Sequence, residues 1–540
     1  MTRSQLIFAP RLGKNHSLSG ILMWETDAQN GEFHTLRSNR GPSVDIQDPA
    51  ANAPINYLGS GSSLSRSIGA LNSLNYKYRD TYIASFNLRV DGSSRFGSNR
   101  RWGVFPSASL GWRFTGEPWM KSLTFLNEGM LSASYGQTGR EPTTPYDRHA
   151  IYNTANPNQY ITDPIILPLQ VQLSNLKWQT VSSWNLKLDL SFLNNDLNVT
   201  GEVYQKLTED LLWRTYAIPS SSGYSSLKWF NGGELDNRGW EFFIRGNVLK
   251  LENSLLTFNF NISRNINSFL SFPQNFNNEV ATTIGNGQYP RRANINEPIG
   301  SFYGFRYLGV WPSDKDVVAL TKEGNILRDV NGNPVPLTYL GTYRFQGGDA
   351  IYEDINHDGV IDLLDVVYLG DSNPDFIGGF GSMFKWKNLT LSANFHYRLG
   401  FEIVNEVAMN TEGMLDKNNQ SKAVLHRWRR QGQDEPGMLP SAYMDHPANN
   451  LGSDRYVESG DYLRLSNLVF NYSVDRKIVQ RLNMRSVNVA LNIRRLFTVT
   501  NYSGQDPEIP QSGDDPFWFG TDKARTPVPK AYTLSIDIGF

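Results

Sequence analysis

The feature that most constrains this chain is its last nine residues, Tyr532 to Phe540, which read Y-T-L-S-I-D-I-G-F. Tyr532, Leu534, Ile536, Ile538 and Phe540 fall on one face of an extended strand, and Thr533, Ser535, Asp537 and Gly539 on the other. This follows because strand side chains alternate with a period of two. Termini of soluble chains tend to fray in water. An apolar strand that ends on an aromatic instead suits a transmembrane β-barrel. One face meets lipid, the other a polar lumen, and the aromatic sits at the interface.

The same alternation recurs upstream. Trp184, Leu186, Leu188, Leu190 and Phe192 alternate with polar residues, as do Leu256 to Ile262, Leu389 to Tyr397 and Val487 to Ile493. Tyr82 to Val90 and Ala108 to Phe114 follow the same rule, which predicts half-buried strands rather than helices. A β-sandwich alternates too, so connection lengths must decide between the two folds. Tight connections at Asn194-Asn195-Asp196, Lys250 to Ser254 and Lys385 to Asn388 are interspersed with long ones near 27–63, 139–182, 214–238, 266–375, 400–460 and 498–529. Counted back from the C-terminus, every long connection falls on one side, as in outer-membrane barrels with short periplasmic turns and long outer loops.

The expected fold is therefore all-β, an antiparallel transmembrane β-barrel with about fifteen strands. An odd, open set of strands would leave unpaired edges in lipid, so further strands are expected upstream. The start of the chain, Met1 to Pro10, lacks the apolar core of a secretion signal, so the chain is expected to be either a truncated product or one that begins inside a longer gene. A hydrophobic content of 39% and a mean hydropathy of -0.43 exclude a helical membrane bundle but not a barrel, whose strands average out. A net charge of -1 gives no argument for nucleic acid. There is no cysteine, and no H-E-x-x-H, G-x-S-x-G or Walker A motif, so the chain is not expected to be an enzyme.

Several blocks are more specific. Arg89-Val90-Asp91-Gly92-Ser93-Ser94-Arg95-Phe96-Gly97 is followed by Gly103-Val104-Phe105-Pro106-Ser107, Gly111-Trp112 and Ser134-Tyr135-Gly136-Gln137-Thr138-Gly139. Asn237-Arg238-Gly239-Trp240-Glu241, Gly300-Ser301-Phe302-Tyr303-Gly304-Phe305 and Tyr462-Leu463-Arg464-Leu465-Ser466-Asn467 come next, and Leu496 to Glu508 completes the set. In order and spacing, from about residue 75 to the end, these blocks resemble the SusC/RagA family of TonB-dependent outer-membrane transporters. The resemblance implies the C-terminal part of a barrel of about 22 strands, with an N-terminal plug, a TonB-contacting segment and roughly seven strands lying outside this sequence. It also implies an outer-membrane location, TonB and a SusD-like surface lipoprotein as partners, and import of oligosaccharide or peptide without a required cofactor. Two other readings remain: a passive porin, and a secreted carbohydrate-binding β-sandwich.

Asp354-Ile355-Asn356-His357-Asp358-Gly359-Val360-Ile361-Asp362-Leu363-Leu364-Asp365 has the spacing of a calcium loop. Side-chain oxygens of Asp354, Asn356, Asp358, Asp362 and Asp365 stand at positions 1, 3, 5, 9 and 12, Gly359 permits the turn at 6, and Val360 offers its carbonyl at 7. The spacing suggests a structural calcium ion, and an Asx-rich turn without metal explains it equally. Trp229-Phe230 and Phe517-Trp518-Phe519 are candidate ligand or partner contacts, because flat aromatic faces on loops stack on sugars or peptide side chains. Trp112, Trp184 and Trp213 are expected at membrane interfaces. His426-Arg427-Trp428-Arg429-Arg430 is expected to be a solvated loop with internal carboxylate partners rather than a grip on anionic substrate or lipopolysaccharide phosphates, and Arg113, Lys187, Asp189 and Asp537 to face the lumen.

Overall fold

The computed structural model describes residues 1–38, 55–153, 159–160, 163–164, 166–224, 226–273, 279–281, 284–415, 417–508 and 520–540. Sixteen strands belong to one sheet. They are β1 (Thr2–Phe8), β2 (His16–Ser38), β3 (Ile55–Tyr78), β4 (Tyr82–Ser93), β5 (Trp102–Trp112), β6 (Leu126–Arg140), β7 (Gln179–Phe192) and β8 (Leu197–Glu209). There follow β9 (Glu234–Leu251), β10 (Ser254–Ser271), β11 (Phe376–Trp386), β12 (Leu389–Leu399), β13 (Tyr462–Ser473), β14 (Ser486–Arg494), β15 (Thr498–Thr500) and β16 (Ala531–Gly539). Fifteen lie on one path in chain order, and β15 sits off it against β13. The chain divides into two compact units, 1–190 with 203–236 and 270–276, and 191–202 with 237–269 and 277–540.

In the second unit the antiparallel register from β10 to β16 sorts side chains into rows. Leu256, Phe384, Leu391, Phe470, Leu491 and Leu534 stand side by side on one face. Beside the tight turns, Trp386, Leu389, Tyr472, Val489 and Ile536 form the next row of that face. Asn259, Gly381, Asn394, Asn467 and Arg494 make a row of the opposite face. Phe384, Trp386, Phe470, Tyr472, Leu491 and Leu534 are exposed. Phe540 is 76% exposed, so the last strand is not tucked into a dry interior. The turn between β7 and β8 passes through Leu193, Asn194 and Asn195 at positive φ (55°, 58° and 65°), a conformation that Asn tolerates better than most residues.

The first unit repeats the pattern. His16, Tyr78, Tyr82, Trp112 and Leu131 share a row beside the Tyr78–Tyr82 turn, which places Trp112 in an aromatic row of the kind found at membrane interfaces. Glu117 ties this row together, accepting from Tyr82 Oη at 2.6 Å and from Trp112 Nε1 at 3.2 Å. The opposite face carries Arg89, whose guanidinium bridges Glu25 at 2.7 Å and Asp91 at 2.6 Å.

Two boundaries depart from the sequence reading. The expected loop at 27–63 is largely strand: β2 and β3 run on as a hairpin, paired residue for residue from Asp27↔Ser67 to Arg37↔Tyr57. Contact with β1 ends at Thr26 and contact with β4 begins at Ser67, so this stretch is a two-stranded ribbon. Its Ser, Gly and Asn residues are polar on both faces, which erased the alternation that would have revealed it. The region 266–375 is also no plain loop. β10 continues to Ser271, and beyond it a core of Tyr303, Phe305, Val317, Leu337, Phe345, Tyr352, Ile361 and Leu451 is fully packed. Small pairings hold it, Tyr307–Val310 on Ala350–Tyr352 and Thr338–Tyr339 on both Tyr343–Arg344 and Val360–Ile361.

Candidate functional site

Loop 354–365 sits on the edge of that core, with Val360–Ile361 pairing in parallel with Thr338–Tyr339. Gly359 has φ +82°, the left-handed turn expected at position 6, and an added Cβ would stand 3.2 Å from Ala319 Cβ and Val335 Cγ1. The carboxylates, however, are engaged with amides. Asp354 accepts from the N–H of Asp358 at 3.2 Å and of Gly359 at 2.8 Å; Asp358 accepts from Val360 at 2.8 Å. Asn356 Oδ1 also accepts from the Asp358 N–H, at 3.1 Å. Asp362 accepts from Leu364 at 2.7 Å. Asp365 is fully buried and takes the amides of Ile355 at 2.8 Å and Asp362 at 2.9 Å, while burial pushes its carboxyl up from the ordinary range. Among the described residues no three His, Cys, Asp or Glu side chains converge as a metal cluster.

Trp229 is 6% exposed and packs with Phe96 and Leu176. Its indole N–H goes to Asp147 Oδ2 at 2.6 Å, and the Arg214 guanidinium lies 5.3 Å from its ring centre. The loop aromatic picked out from sequence is thus part of a small core. Phe230, half-buried, lines a cavity of about 380 Å³ walled by Leu173, Leu176 and Lys177. Phe517, Trp518 and Phe519 lie outside the described residues. In the basic stretch, Arg427 Nη1 donates to Val424 O at 3.1 Å, Trp428 Nε1 to Pro312 O at 3.2 Å and Arg429 Nη2 to Leu425 O at 2.8 Å. These cations hold carbonyls of the connection itself. Lys187 pairs with Asp189 at 3.1 Å along β7, and Trp184 and Trp213 donate to Gln205 Oε1 and Gly232 O.

Two arrangements escaped sequence reading. Arg464, buried on β13, takes Asp506 at 2.5 Å and Glu508, with Thr498 Oγ1 at 2.9 Å from its Nε. The block Gln505-Asp506-Pro507-Glu508 is therefore strapped onto the sheet. In the packed connections, His446 Nε2 meets Asp349 Oδ1 and Tyr343 Oη, each at 2.8 Å, while its Nδ1 accepts from the Ala448 N–H. That last bond leaves the proton on Nε2. No periodicity marks these residues: Asp506 lies 42 positions from Arg464, and Asp349 lies 97 from His446.

An exposed greasy face, an interfacial aromatic row and a polar opposite face define a membrane β-barrel class of protein. The chain belongs to the TonB dependent receptor-like, beta-barrel family, whose pattern matches residues 4–405. It is 31% identical to the TonB-dependent receptor P39 of Formosa agariphila over 494 residues, covering 86% of this chain and 46% of that receptor. It is 24% identical to the TonB-dependent receptor SusC of Bacteroides thetaiotaomicron over 490 residues, covering 86% and 43%. The chain thus spans about half the length of the relatives it matches. Its fold matches that of the transporter in the RagAB peptide transporter structure, with a TM-score of 0.78 at 21% identity, over 100% of this chain and 55% of that one.

Proposed function

We propose that this chain is the barrel portion of a TonB-dependent importer in the bacterial outer membrane, moving an oligosaccharide or peptide nutrient with a SusD-like surface lipoprotein as partner. The observation that carries the reading is the row of Leu256, Phe384, Leu391, Phe470, Leu491 and Leu534 on one side of β10 to β16, backed by Asn, Lys, Thr and Arg on the other. A soluble protein would cover such an apolar surface; lipid covers it in a barrel. The relatives named above are TonB-dependent receptors, which supports energy supply through TonB. In this mechanism the packed connections contact the nutrient first. The polar face then borders its path, and the plug that TonB pulls belongs to the remainder of the receptor.

Deleting the gene in its native host, grown on one glycan or peptide mixture as sole nutrient, tests this. The expected result is lost growth, matched by loss of TonB. Uptake through the receptor that persists without TonB supports a passive porin instead and overturns the reading, as would recovery of the receptor in the soluble fraction.

A structural calcium ion at Asp354, Asn356, Asp358, Val360, Asp362 and Asp365 is a separate proposal. It is supported by the donor spacing and by the left-handed Gly359, and it requires carboxylates to turn from amides to the ion. Calorimetry on chelator-treated protein decides it, since no heat at millimolar calcium ends the idea.

A further inference from the structure

We infer that a cavity among the packed connections of the second unit binds a carboxylate-bearing ligand, with Arg455 as the anchoring cation. The inference goes beyond the transport reading and stands on local geometry. The cavity has a volume of about 610 Å³, room for a sugar unit or a dipeptide. Val310, Met438 and Leu439 supply apolar wall, Tyr307 an aromatic one, Arg455 the cation, and Glu412, Asp434 and Glu435 the carboxylates.

Arg455 is the anomaly. Its side chain is only 9% exposed, yet no acceptor among the described residues forms a hydrogen bond with it. The nearest carboxylate oxygen, Glu412 Oε2, stands 3.9 Å from Nη2, too far for a hydrogen bond. Two rings hold the guanidinium in place instead, Tyr307 at 5.2 Å and Tyr456 at 4.8 Å from ring centre to Cζ. Beside it the hydroxyl of Tyr456, 2% exposed, is also without a partner. Buried polar groups in folded proteins are almost always hydrogen-bonded, and a buried cation still more so. A guanidinium set over two tyrosine rings, with its Nη2 unmatched and its side chain lining the cavity, supplies the cation that a carboxylate seeks.

The remaining charges permit this. Burial is the larger influence on Glu412 and pushes its carboxyl up, against the pull of Arg455, so it takes a proton more readily than an exposed glutamate. At the rim Glu435 is already occupied, with His426 Nδ1 at 3.5 Å and Gln433 Nε2 at 3.1 Å. Asp434 is exposed and screened by water. Gly309, at φ +130°, also lines the cavity, and a Cβ there would meet nothing within 4 Å.

The carboxylate could belong to a peptide C-terminus or to an acidic sugar, and the test separates them. Titrate the full receptor, purified in detergent, with N-acetyl-alanyl-alanine and its amide, and with glucuronate and glucose. At least one acid is expected to bind about tenfold or more tightly than its neutral partner, and which pair responds names the source. Arg455→Gln should abolish the preference. Glu412→Gln, which removes a like charge beside the ligand, should tighten acid binding severalfold, a gain that a merely structural role would not give. Equal binding of acid and neutral probes, no binding of either, or an unchanged preference in Arg455→Gln overturns the inference. None of these readouts requires TonB or transport, so a failure here and a failure of the import reading are distinguishable.

Discussion

The strand rows of the second unit and the packed connections beside them use the same residue types in opposite ways. Along β10 to β16, Leu, Phe and Ile stand outward and exposed, and the strands are held by main-chain ladders and by what surrounds them. In the connections, Phe305, Phe345, Ile361 and Leu451 are at most 1% exposed and build an interior of the ordinary kind. One region needs lipid as its solvent, while the other carries its own core. Burial is therefore not a property of the residue but of where the topology sends it.

Substitutions can break that contrast. Phe345→Ala should have the largest effect, costing about 3–5 kcal/mol through the cavity it opens. Limited proteolysis should then cut within 277–375 while the strands keep their β signal by circular dichroism. Equal loss of both would mean that the two regions do not differ in what holds them. Leu468→Arg on the greasy face should cost about 2–4 kcal/mol in the bilayer, whereas Ser392→Lys on the opposite face should cost little. Unfolding titrations in lipid vesicles measure both, and similar penalties would refute the sidedness. Gly359→Ala should lower stability by about 1–2 kcal/mol, because φ +82° strains an L residue and the Cβ crowds Val335. A melt that matches the parent would show that the loop readily re-folds.

The smallest effect concerns pH. Burial, with nearby Asp371, Asp461 and Asp375, raises the Glu402 carboxyl above its ordinary value, although the Asp371 amide opposes this. A carboxyl raised in the folded state binds its proton more readily folded than unfolded. Stability thus increases as pH falls through the window between the unfolded and folded values. Glu402→Gln should flatten that slope, changing Tm by on the order of 1 °C between pH 7 and 5. An unaltered slope would assign it to Glu412 or Asp365, which are raised for the same reason.

Much of the sheet was readable from residue order, because strands such as Leu389–Leu399 and Ala531–Gly539 cross from polar to apolar surroundings at every step. About fifteen strands were expected, and fifteen lie on the main path. Residues 27–38 and 55–66 were not legible, since a ribbon wet on both sides has no period to detect. The packed connections hid for a different reason. Their core draws on positions 303 to 366 and 448 to 451, gathered by turns rather than by regular spacing. Trp229 looked like a surface contact because it forms an aromatic pair with Phe230 in a segment read as a loop, while its neighbours in space, Phe96 and Leu176, come from remote segments. Arg455 carried no signal at all, because what distinguishes it is a missing partner.

The β2–β3 ribbon carries one more consequence. From Asp27 to Ser38 it climbs twelve residues past the last point where a third strand supports it, a reach of roughly 40 Å at strand rise. If the part of the hairpin flanked by other strands spans a bilayer, the two-stranded part, touched by the Tyr146 hydroxyl at the Leu64 N–H (2.8 Å), stands clear of the lipid headgroups like a mast. An epitope tag placed at Gly31 would then be stained on intact cells, well away from the greasy girdle below.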